Sequence, residues 1–142
     1  MSSLDLSGHL TISDVVDVAR AGRRVSLSKD ALARITKARG LIEQLVRERK
    51  LVYGVTTGFG KFASVAISAE DTKRLQRNLI VSHATGVGEP LPPDQARAVL
   101  LLRANALSRG HSGARPELIQ TFIDMLNKDV LPVIPSKGSL GA

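Results

Sequence analysis

Across residues 28–46 the apolar side chains fall at Leu32, Ile35, Ala38, Leu41, Ile42, Leu45 and Val46. Steps of three and four gather them on one face of a helix, whereas a strand, with its period of two, would scatter them over both faces of a sheet. No other feature restricts the fold as much, and similar spacing recurs along the chain between clear stop and start signals. Thr11 with Asp14 has the form of a capping box, opening a short helix that should stop near Gly22. Ser28 is placed to start the long helix, which Gly40 weakens without breaking. Ser68 with Asp71 repeats the capping spacing, and Leu75, Leu79 and then Ser82 or His83 continue a face running towards Gly86. Pro93 suits the first turn of a helix over residues 96–108, apolar around most of its circumference and expected to be buried, with Gly110 as its stop. A further helix is predicted from Pro116 to about Asn127. Between the helices, "LVYGV" reads as a brief extended segment, "GVGEPLPPD" as turn chemistry and "LPVIP" as an extended path. The expectation is a mainly α fold of five helices joined by glycine-rich turns, with little sheet.

Length and composition narrow the setting. A chain of 142 residues, 43% hydrophobic and 23% charged, should form one compact soluble unit. There is no cysteine, which removes disulfides, thiolate metal sites and cysteine nucleophiles and fits a cytoplasmic location. The first residues show no basic leader, and no apolar run approaches the roughly 20 residues of a membrane span. The formal charge of +7 invites an anionic partner, but the densest run, "RERK", ends a helix, where cations complement the macrodipole. No stacking aromatics accompany it, so neither nucleic acid nor membrane is expected.

Candidate chemistry centres on "YGVTTGFG", residues 53–60, which holds the only tyrosine and one of three phenylalanines among pliable glycines. Gly58, Gly60 and Ala63 formally satisfy a dinucleotide fingerprint, but "KFASVAIS" does not open a helix and Asn78 stands where an acid is needed. His9, His83 and His111 are far apart and pair with no carboxylate at metal-binding spacing, so no metal is expected. His9 carries no signal, and His111 follows a helix stop as a turn residue. His83 lies where a helix expected to be buried meets the turn "ATGVG", a junction that can line a pocket or merely pack. Tyr53 poses the same choice. A phenol could take a weakly acidic carbon-bound proton only beside an electron sink, which ordinary side chains here do not offer.

Four stretches, "YGVTTGFG", "LQRNLIVSHATGVGEPL", "LLLRANALSRGHSGARPELI" and "LPVIPSKGSLGA", resemble the N-terminal part of the aromatic amino acid ammonia-lyases, histidine-specific members above all. The resemblance covers about residues 10–142. It implies the all-helical fumarase/aspartase-like fold with short strands near the active-site loop. Residues 1–142 would be one segment of a longer chain, without its central helical bundle and C-terminal parts. It also implies a sink: 4-methylidene-imidazol-5-one, formed autocatalytically from an Ala-Ser-Gly tripeptide whose first residue matches Ala142. The chain would then end at that residue through truncation or division at the modified group. Tyr53 would be the catalytic acid/base and Ala142 part of the electrophile. His83, Ser82 and Gly60 would bind substrate, and Thr57, Gly58 and Phe59 would belong to the mobile loop. The implied reaction is elimination of ammonia from L-histidine to give trans-urocanate, without metal or nucleotide, in a homotetramer that shares its active sites. Some tyrosine aminomutases also carry Ser-His at the matching pair, so a tyrosine ammonia-lyase or aminomutase is the alternative. A small basic helical binding module is the distant one.

Overall fold

The computed structural model describes residues 2–7, 9–58, 67 and 69–138. Its elements run β1 (Leu4–Leu6), α1 (Ile12–Ala21), β2 (Val25–Leu27), α2 (Lys29–Arg47), α3 (Ala69–His83), β3 (Val87–Pro90), α4 (Pro93–Ser108), α5 (Pro116–Asn127) and β4 (Pro135–Lys137). The chain is mainly α, with five helices among the described residues as the periodicity predicts. It divides into two compact units, Met1–Gly40 with Pro90–Ile134 and Leu41–Glu89 with Pro135–Ala142, where length and composition led us to expect one.

In the first unit the helix ends follow from the residues that cap them. The Thr11 hydroxyl accepts from the Asp14 N–H at 3.2 Å, while the Asp14 carboxylate accepts from the Thr11 N–H at 3.1 Å. The Thr11 hydroxyl also donates to that carboxylate, and these bonds hold the Asp14 carboxyl below its usual range, with Arg23 assisting. Gly22 ends α1 in the left-handed conformation, φ 67°. The Ser28 hydroxyl accepts from the Ala31 N–H at 3.1 Å and starts α2 where expected. Pro93 and Pro116 sit at the starts of α4 and α5.

β1 and β2, which the sequence reading missed, pair in parallel with Leu4 opposite Val25 and Leu6 opposite Leu27. The Asn127 side-chain amide extends the pair on its other side, accepting from the Val25 N–H at 2.9 Å and donating to the Val25 carbonyl at 2.8 Å. α1 packs on α4, α4 on α5, and β2 on α5. Leu6, Val18, Ile35, Leu101, Ile119 and Ile123 fill the space between them. Arg97 is buried there too, donating to the carbonyls of Val18 and Leu126 and to the Asp129 carboxylate. It serves the C-terminal ends of α1 and α5 together. Burial of α4 is one-sided, not all round: Leu100, Leu101 and Ala104 are buried, while Val99 and Leu102 face outward.

Candidate active site

The second unit contains the residues to which the sequence points, and it is built differently. "LVYGV" does not form the extended segment expected of it; residues 53–56 turn instead. The reason is a threonine hydroxyl. Thr56 Oγ1 accepts from the Val52 N–H at 2.9 Å and donates to the Lys50 carbonyl. The N–H groups of Val55 and Thr56 both donate to the Val52 carbonyl at 3.0 Å. Gly54 supplies the positive φ, 71°, that the reversal needs, and its N–H donates to Thr57 Oγ1 at 3.3 Å. Thr57 is buried and donates to the Gly58 carbonyl at 3.0 Å. Tyr53 is the first residue of this turn and is 62% exposed. Thr56 went unnoticed in the sequence, where it reads as one more β-branched residue after a strand-like run.

α3 ends on His83, as its periodicity implies, but the helix is not the buried one expected: Ile80, Val81, Ser82 and His83 are all exposed. The expected cap at Ser68 lies outside the described residues. His83 Nδ1 is 2.8 Å from the Leu79 carbonyl oxygen and 3.0 Å from Ser82 Oγ, and Ser82 Oγ donates to the same carbonyl at 3.0 Å.

The stretch read as turn chemistry after α3 is in part a strand, because β3 pairs with β4 far along the chain. Glycines permit this approach. A Cβ on Gly86 would lie 2.8 Å from Pro135 Cγ, and one on Gly88, where φ is +90°, 2.9 Å from Ser136 Oγ. Gly138 packs so near that its Cβ would sit 3.5 Å from Gly86 Cα. The strand leading towards Ala142 is therefore fastened beside the backbone three residues beyond His83.

Tyr53, Thr57, Gly58, Ser82 and His83 thus share one compact unit with the segment that runs to Ala142. Of these side chains, Ser82 and His83 are in direct contact. Phe59, Gly60 and Ala142 lie outside the described residues. His9 and His111 are exposed and belong to the other unit. Among the described residues, no cluster of three His, Cys, Asp or Glu is arranged to hold a metal, and no helix is long and apolar enough to cross a membrane.

This fold is that of amino-acid-processing lyases and their relatives. The crystal structure of the ergothioneine-degrading enzyme ergothionase from Treponema denticola superposes with a TM-score of 0.91 at 37% identity, over 97% of this chain and 28% of that one. Histidine ammonia-lyase from Trypanosoma cruzi does so with a TM-score of 0.89 at 41% identity, over 96% and 27%. Residues 10–142 match the aromatic amino acid lyase family, and the chain belongs to that family. A curated relative, histidine ammonia-lyase of Symbiobacterium thermophilum, is 55% identical over the whole of this chain. The chain spans 28% of that relative's length.

Proposed function

We propose that the chain is the N-terminal segment of an ammonia-lyase that converts L-histidine to trans-urocanate and ammonia. The observation that carries this reading is the second unit, which unites the Tyr53 turn, the Ser82–His83 pair and the glycine-lined strand leading to Ala142, in a chain 55% identical to a histidine ammonia-lyase. Tyr53 takes the β-proton of the substrate, its ring carried on a turn that Thr56 ties to Lys50 and Val52, a few residues beyond α2. Gly54, Gly58 and Gly60 let the loop of Thr57, Gly58 and Phe59 settle over the substrate. Ser82 and His83 hold its polar end.

Formation of 4-methylidene-imidazol-5-one from Ala142 and a following Ser-Gly suits the residues that precede it: the sequence "GSLGA" holds two glycines, and the first, Gly138, admits backbone at van der Waals distance. When formed, that group supplies the electrophile that draws electron density from the substrate. In this reading no metal or nucleotide takes part, the remainder of the chain and neighbouring subunits of a cytoplasmic homotetramer complete each site, and residues 1–142 alone are inactive.

The test is Tyr53→Phe in the complete enzyme, with urocanate absorbance as readout. Removal of a general acid/base lowers kcat by about 10²–10⁴-fold. Assembly and melting temperature stay as in the parent. Undiminished kcat takes Tyr53 out of the mechanism, and turnover of tyrosine in place of histidine overturns the substrate assignment.

A further inference from the structure

The three contacts at the end of α3 determine where the proton sits on His83. A carbonyl oxygen only accepts hydrogen bonds, so at 2.8 Å from the Leu79 carbonyl, Nδ1 must be a donor. Ser82 agrees with this. Its hydroxyl hydrogen is directed to the same carbonyl at 3.0 Å, which turns an oxygen lone pair towards Nδ1, also at 3.0 Å. All three contacts are satisfied together only with hydrogen on Nδ1. In a neutral imidazole the other nitrogen then carries a lone pair. Among the described residues Nε2 has no hydrogen-bond partner, and the side chain is exposed.

We infer that Ser82 and the Leu79 carbonyl lock His83 in its Nδ1–H form, so that Nε2 meets the substrate as a hydrogen-bond acceptor and selects a substrate that offers a hydrogen-bond donor at that point. This rests on the proposed lyase reading and adds to it the direction of the hydrogen bond. Ser82 becomes a positioning residue, acting on the substrate only through the ring it orients. A substrate presenting only an acceptor there would face an opposed lone pair, and one presenting carbon would leave Nε2 without a partner.

The test uses the complete enzyme with L-histidine. Glutamine reaches about as far as Nε2 and can offer an acceptor there, whereas asparagine reaches only about as far as Nδ1. His83→Gln should therefore keep about tenfold more kcat/KM than His83→Asn, the worth of one hydrogen bond. Ser82→Ala should raise KM by about threefold to tenfold with a smaller change in kcat, as expected for a loosened binding group, and Ser82→Thr should restore it. The ¹⁵N resonances of the ring in histidine-labelled parent enzyme need no variant to fold: a protonated Nδ1 and a bare Nε2 are expected, and Ser82→Ala should shift the pair towards a mixture. A proton on Nε2 in the parent, asparagine equal to glutamine, or Ser82→Ala with unchanged KM each overturns the inference. In all three of those cases the parent still makes urocanate, whereas loss of the lyase reading shows as no urocanate from the parent at all.

Discussion

Thr56 has no reactive chemistry, yet its hydroxyl closes the turn that presents Tyr53. It occupies a donor upstream, the Val52 N–H, and an acceptor further back, the Lys50 carbonyl. Thr56→Val keeps the shape and deletes both bonds, leaving the Val52 N–H without its partner. Such a loss is worth about 1–2 kcal/mol, or roughly tenfold when it falls on the placement of a catalytic group. We expect kcat for histidine to drop by about tenfold in the complete enzyme while its melting temperature moves little, and Thr56→Ser to recover most of the rate. Steady-state kinetics decide it, since an unchanged kcat in Thr56→Val would show that the turn holds without the hydroxyl. Sequence alone points to Tyr53 because a lone phenol among glycines is conspicuous. It does not point to Thr56, whose role depends on backbone groups four and six residues away meeting one oxygen. Ser82 and His83 are intermediate: their adjacency is readable, but which ring nitrogen meets the Leu79 carbonyl is a matter of helix geometry.

Among the elements, the helices were legible and the strands were not, for one physical reason. Helix boundaries are written locally: Thr11 with Asp14, Ser28, Pro93 and Pro116 each act within one turn of their own position. β1 and β2 are three residues each, too short to show alternation, and their pairing needs α1 to bring the chain back. β3, "VGEP", has turn composition and becomes a strand only because β4 returns to it. Apolar periodicity also says which face a helix has, not what covers it: Leu41 and Val46 share the predicted face of α2 yet are 57% and 50% exposed. Gly40 lies on this helix where the two compact units divide, and nothing stands within 4 Å of where its Cβ would be. Gly40→Ala should therefore stabilise α2 by about 0.5–1 kcal/mol, through reduced backbone entropy in the unfolded chain. Urea denaturation of residues 1–142 followed by helical circular dichroism measures this. A loss of stability would mean that the helix has to yield at Gly40.

At the scale of the whole molecule, apolar burial and the candidate chemistry are divided between the two units. Every buried apolar side chain among the described residues belongs to the first, from Leu4 to Leu126, whereas the buried side chain described in the second is Thr57. The described residues of the second unit, held by hydrogen bonds and glycine-permitted strand contacts, gain little from the hydrophobic effect, the dominant favourable term in folding. α3 illustrates the consequence, with Ile80 72% exposed two residues before Ser82. If the longer chain is what covers this helix, hydrogen exchange will report it. In residues 1–142 expressed alone, amides of α4 and α5 should exchange slowly and those of α3 should exchange by local opening, at least about a hundredfold faster. In the complete protein the α3 amides should slow to the range of α4. Leu101→Ala separates the units further: removing a fully buried leucine costs about 2–5 kcal/mol, a large part of the stability of a domain this size. It should speed exchange throughout α4 and α5 while leaving α3 in the short chain as it was. Equal protection of α3 and α4 in residues 1–142 would mean that the site-bearing unit is stable by itself, and that its order does not depend on the rest of the enzyme.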